Sequence, residues 1–146
     1  LVPLVAQVLV RLGTRRAFVV HGAGGTDEVS LAGPAAVAKI KGDEISEYLL
    51  DPAGFGLARA PVEALAGGTP SENAALVREV LRGAPGPRRD AVLINAALGL
   101  VAAGRVADLR EGLYLAAASI DSGAALAKLE ELVSFTSRAA RQVASL

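Results

Sequence analysis

The run Ala17-Phe18-Val19-Val20 breaks at His21 into Gly22-Ala23-Gly24-Gly25-Thr26 and ends on two adjacent carboxylates, Asp27 and Glu28. Short, apolar and rich in β-formers, the run reads as a strand buried on both faces. Ahead of it, Leu4, Val5, Val8, Leu9 and Leu12 recur at intervals of three and four, and Gly13 stands where a C-cap would end a helix. A helix leading into a buried strand predicts an α/β chain with a mostly parallel sheet. Open α/β sheets bind ligands outside the carboxyl ends of their strands, which is where this glycine loop falls. Glycines let the backbone turn sharply and approach a ligand closely. A magnesium ion shared with a phosphorylated substrate takes only one or two protein carboxylates, its other ligands being water and phosphate oxygen. Asp27 and Glu28 are therefore the candidate Mg2+ ligands.

Two more strands are predicted, Ala35 to Ile40 and Glu44 to Leu50, joined as an antiparallel hairpin by Lys41-Gly42-Asp43. The segment from Asp51 to Gly68 is punctuated by Pro52, Gly54, Gly56, Pro61, Gly67 and Gly68, so it reads as a long surface connection with one helical turn at Val62 to Leu65. Thr69-Pro70-Ser71-Glu72 is a capping box with proline at the first helical position, predicting a helix to about Leu81. Helices are expected at Asp90 to Ala103, Val106 to Ile120 and Ala124 to Val133, covering the sheet.

Composition narrows the function classes. The 15 basic and 15 acidic side chains cancel, which argues against nucleic acid or an anionic membrane as a partner. Cysteine is absent, excluding disulfides, thiolate metal sites and cysteine nucleophiles from these residues. The most apolar stretch, Ala91 to Ala103, is interrupted by Asn95 and Gly99 and is shorter than the roughly 20 residues a bilayer needs, so it reads as a buried helix. A cytoplasmic location is the expectation. There is no methionine, and helical spacing is already under way at Leu1-Val2-Pro3-Leu4, so the start reads as internal to a longer chain.

His21, the one histidine, stands at the mouth of the glycine loop. With no orienting partner nearby in sequence, it is read as hydrogen-bonded to backbone rather than as a general base. Arg88 and Arg89 precede a helix start, where they are expected to pair with Asp90 or another surface acid. Glu72 and Asn73 are assigned to capping and helix packing, and Asn95 to a buried polar contact between helices.

Longer motifs sharpen this reading. His21 to Pro34, Glu47-Tyr48-Leu49-Leu50-Asp51-Pro52 with Phe55-Gly56-Leu57, Ser71-Glu72-Asn73-Ala74-Ala75, Gly86 to Ala97 and Asp121-Ser122-Gly123-Ala124-Ala125 occur in order along the chain. From His21 onward the chain resembles the C-terminal half of anthranilate phosphoribosyltransferase in the order and approximate spacing of these motifs. The resemblance implies that residues 1–146 form the C-terminal portion of an α/β domain of the nucleoside phosphorylase/phosphoribosyltransferase type, without the N-terminal half and its small helical domain.

In that family the Asp-Glu pair binds the Mg2+ that accompanies the pyrophosphate of phosphoribosyl pyrophosphate, which assigns the role to Asp27 and Glu28. The implied reaction is attack of the anthranilate amine on C1 of phosphoribosyl pyrophosphate in tryptophan synthesis, usually by a homodimer. The family's Gly-Thr-Gly-Gly-Asp loop, its Lys-His-Gly-Asn-Arg segment and the arginine that helps hold anthranilate have no counterpart here. No catalytic residue is assigned within this chain, and the 146 residues alone are expected to be inactive. Two alternatives are a non-catalytic binding module of the same fold and a pyrimidine nucleoside phosphorylase.

Overall fold

A computed structural model describes residues 1–143, which fall into two compact units. The first comprises Leu1–Ala66 and Pro85–Ala116; the second comprises Gly67–Ala84 and the chain from Ala117 onward.

The first unit is built on a three-stranded sheet in the order β1 (Arg16–His21), β2 (Ala35–Lys41), β3 (Glu44–Leu50). The hairpin forms where expected: β2 and β3 pair from Ala35↔Leu50 to Lys41↔Glu44, and Gly42 takes φ +62° in the turn. The chain has the expected α/β character, but the expectation of a mostly parallel sheet does not hold for these strands. β1 also pairs antiparallel with β2, from Arg16↔Lys41 to His21↔Ala36. Parallel neighbours require a crossover, usually a helix. Residues 22–34 contain none, so the chain doubles back and β2 runs against β1.

Side chains alternate across the strands, so the sheet has two packed faces. On one, Val37 and Leu50 join Ala35, Val29 and the α3 residues Ile94 and Leu98 in a buried cluster flanked by Phe18, Val20, Phe55 and Leu57, where α3 is Pro87–Ala102. On the other, Ala38 and Ile40 pack with Ala6 of α1 (Val2–Arg11), flanked by Val2, Leu9, Val10, Ala17 and Val19. The sheet is thus sandwiched between helices.

The inner face of α1 is not the one its spacing suggests. Leu4, Val5, Val8 and Leu12 are 59%, 42%, 47% and 76% exposed, whereas Ala6 is fully buried. The helix is apolar on nearly all sides, so periodicity alone does not select the inward stripe. Small Ala6 permits close approach to the sheet, with Leu9 and Val10 beside it.

The later helices deviate at their ends. α3 begins at Pro87, three residues before the expected start, because Gly86 takes φ +126° and proline suits the first helical turn. α4 spans Leu109–Asp121 and starts three residues late. Asp108 Oδ1 accepts from the N–H groups of Arg110 (2.8 Å) and Glu111 (3.0 Å), while Glu111 reaches back to the N–H of Ala107 (2.8 Å). These bonds fix the start of the helix.

In the second unit, α2 (Pro70–Leu81) begins with the expected capping box: Thr69 Oγ1 accepts from the Glu72 N–H, and Glu72 Oε2 accepts from Thr69 N–H at 2.7 Å. Asn73 makes a paired contact with Gly68, accepting from its N–H at 2.8 Å and donating to its carbonyl at 3.1 Å. Arg78 of α2 pairs at 3.4 Å with Glu130 of α5, which runs Ala124–Val143 and extends beyond its expected end.

Candidate functional site

The loop after β1 is a closed turn. Gly22 and Thr26 form an isolated antiparallel bridge in which the Gly22 N–H donates to the Thr26 carbonyl at 2.9 Å, and Gly25 N–H donates back to the Gly22 carbonyl at 3.2 Å. Gly22 is buried, and a Cβ there would overlap the Glu28 carbonyl oxygen and Thr26 Oγ1. Gly24 takes φ +83°, and a Cβ on it would lie 2.5 Å from Cγ2 of Val62, in the 3-10 turn Val62–Leu65. The turn expected at that position therefore lies over the loop.

Asp27 and Glu28 are exposed, but the chain on both sides of them is held. Thr26 Oγ1 donates to the Glu28 carbonyl at 2.8 Å. Val29 and Ser30 are fully buried, and Leu31 nearly so. Ser30 Oγ donates to the Ala23 carbonyl at 2.6 Å, tying the outgoing limb of the loop to the incoming one.

Asn95 completes the support. Its Oδ1 accepts the Val29 N–H at 3.0 Å, and its Nδ2 donates to the Val29 carbonyl and to the Ala91 carbonyl, both at 2.9 Å. The expected contact between helices is instead a contact between α3 and the residue next to Glu28. An asparagine in an apolar helix signals a buried polar partner. A partner 66 residues away carries no local sequence pattern by which it could be found.

Other expected residues are placed differently. His21 is exposed and makes no side-chain hydrogen bond among the described residues, so it does not fasten the loop as expected. Arg88 donates from Nη2 to the Ala66 carbonyl at 2.9 Å rather than to an acid. A groove of about 480 Å³ lined by Arg16, Phe18, Lys39, Lys41, Arg105 and Glu111, among others, opens at the start of β1, and no residue of the carboxylate loop lines it.

Among the described residues, no group of three or more His, Cys, Asp or Glu side chains could hold a metal ion. Two exposed carboxylates on a fixed loop are a poor cage for zinc, which takes three or four protein ligands. They suit Mg2+, which keeps water and phosphate oxygens in most of its coordination positions.

Residues 1–126 match the family model described as "Glycosyl transferase family, a/b domain". The chain belongs to that family. It is 58% identical over 136 residues to an anthranilate phosphoribosyltransferase of Pelotomaculum thermopropionicum and 54% identical over 136 residues to one of Desulforamulus reducens. Each alignment covers 93% of this chain and 39% of the relative, so this family member spans about two-fifths of the length of those curated relatives. Among solved structures it is similar to the anthranilate phosphoribosyltransferase of Thermus thermophilus, with a TM-score of 0.83 and 44% identity over 92% of this chain and 39% of that one. The Saccharomyces cerevisiae anthranilate phosphoribosyltransferase in complex with PRPP and Mg is similar at a TM-score of 0.70 and 34% identity, over 79% of this chain and 33% of that one.

Proposed function

We propose that this chain supplies the magnesium-pyrophosphate side of an anthranilate phosphoribosyltransferase, as the C-terminal portion of its α/β domain. The observation that carries the reading is the exposed Asp27-Glu28 pair at the end of a glycine loop that is bridged on itself and anchored on buried residues. The likeness over 93% of the chain to enzymes of that name supports it.

Asp27 and Glu28 would supply carboxylate oxygens to Mg2+. Bound there, the ion would offset the negative charge that gathers on pyrophosphate as it leaves C1 of the ribose. The contribution of the chain itself is placement. The Gly22–Thr26 bridge and the Ser30 contact hold the loop before any ligand arrives, so little ordering cost is left to binding. Exposure leaves both carboxylates hydrated, and two of them make a weak metal site until phosphate oxygens complete it. Metal and phosphoribosyl pyrophosphate should therefore bind together, with anthranilate as the acceptor in a cytoplasmic homodimer of tryptophan biosynthesis. Among the described residues no helix is long and apolar enough to cross a membrane.

The test is the Asp27→Asn, Glu28→Gln double variant in a chain of the relatives' full length, assayed for Mg2+-dependent conversion of anthranilate. A loss of roughly 100-fold or more in kcat/KM, on the order seen when a charge-stabilising group is removed, is expected. Unchanged turnover with unchanged magnesium dependence would refute the site. Phosphorolysis of thymidine or uridine by the same protein would instead favour a nucleoside phosphorylase.

A further inference from the structure

We propose that Asn95 is a positioning residue for the metal site, setting the place of Asp27 and Glu28 through the main chain of Val29; this rests on the reading of those carboxylates as magnesium ligands. Exposed side chains have no packing of their own to fix them, so the position of the pair follows from that of its backbone. On the incoming side that backbone is set within the loop, by the Gly22–Thr26 bridge. On the outgoing side the nearest restraint from outside the loop is Asn95.

The contact leaves little freedom. Oδ1 and Nδ2 engage both polar groups of one residue, as a neighbouring strand would, and the second Nδ2 hydrogen is committed to Ala91 one helical turn earlier. Both amide hydrogens are used, so the amide orientation is fixed, and the amide cannot flip without setting like groups against one another. Ile94 beside it is fully buried and packs in the same cluster as Val29, so α3 forms a rigid base. Asn95 thus joins the loop to the sandwich core, and Asp27 and Glu28 sit two and one residues from the joint.

Residues that orient metal ligands without touching the metal are typically worth about 10- to 100-fold in metal affinity or activity. Asn95→Asp keeps size and one acceptor but sets oxygen against the carbonyls of Val29 and Ala91. In the full-length protein, the half-saturating free Mg2+ concentration for conversion of anthranilate should rise about 10-fold. At saturating Mg2+, kcat should return to within about twofold of the parent, because the ligands themselves are retained.

Leu93→Ala removes a buried side chain of the same helix and leaves the Asn95 hydrogen bonds to Val29 in place. It should lower Tm without moving the magnesium midpoint. If Asn95→Asp lowers Tm or kcat but leaves that midpoint at the parent value, the proposal is overturned. Should Asn95→Asp not fold, Asn95→Ser, with room for water at Val29, is read by the same criterion. Failure of the underlying reading looks different: the Asp27→Asn, Glu28→Gln variant would then keep the parent magnesium dependence.

Discussion

Ser30 Oγ donates to the Ala23 carbonyl at 2.6 Å, joining the two limbs of the loop that presents Asp27 and Glu28. Ser30 is the one buried polar side chain among the described residues, and its hydroxyl also accepts from Ala32 N–H at 3.4 Å. Replacing this fully buried hydroxyl with a methyl group takes away the donor to the Ala23 carbonyl. Ser30→Ala should cost about 1–3 kcal/mol of stability. Urea unfolding of the parent and the variant measures this, with a fall in the midpoint at unchanged slope as the expected result.

Gly22→Ala acts on the same loop by collision. A methyl group there would meet the Glu28 carbonyl oxygen and Thr26 Oγ1, and Ser30 N at 3.2 Å, so the carboxylate limb must move outward. The expected outcome is a folded protein with a weakened magnesium response and roughly 1–3 kcal/mol less stability, the usual range for overpacking. Gly25→Ala is the comparison: its backbone is strained for alanine, at φ +79°, but nothing lies within 4 Å of the added carbon. It should lose stability while leaving the metal midpoint nearer the parent value. Equal midpoints in the two variants would show that the collision at Gly22 does not reach the carboxylates.

What could be read from the sequence was local. Thr69 and Glu72 lie three residues apart, and Lys41-Gly42-Asp43 turns within a single hairpin, so each carries its partners inside the motif. The position of Asp27 and Glu28 after a strand was legible for the same reason. Strand direction was not. The helix-strand order of α1 and β1 does not state which way the next strand returns, and the helix-free segment 22–34 decides that. The support under the site was hidden as well, because Asn95 and Val29 meet only after α3 has folded against the sheet.

α1 illustrates a different failure, and it can be tested. Its outward stripe of Leu4, Val8 and Leu12 is apolar, whereas its tightest contact with the sheet is made by Ala6. Ala6→Leu should destabilise by about 1–3 kcal/mol, since a larger side chain must displace Ala38 or Ile40. Val8→Lys should leave Tm within about 2 °C of the parent, in keeping with surface substitutions that cost no more than about 0.5 kcal/mol. For this chain on its own, it should also reduce self-association in sedimentation velocity, because an exposed apolar stripe favours association. The opposite ranking of the two variants would restore the face suggested by the spacing.

The capping box of α2 makes stability depend on acid. Hydrogen bonds from Thr69, first from its backbone N–H and then from its hydroxyl, hold the Glu72 carboxyl below the usual glutamate range. A carboxyl depressed in the folded state stabilises fully above its unfolded value and progressively less as pH falls through the folded one. The contribution of Glu72 should therefore be complete at neutral pH and decline from about pH 5 downward. Protection of the α2 amides in hydrogen exchange, followed from about pH 7 to about pH 3, should fall across that window in the parent. In Glu72→Gln it should start lower and change less. Thr69→Ala removes the hydroxyl but leaves the backbone donor, so it should return the Glu72 titration only part of the way toward the ordinary range. Full return would mean that the hydroxyl, not the N–H, holds the carboxylate.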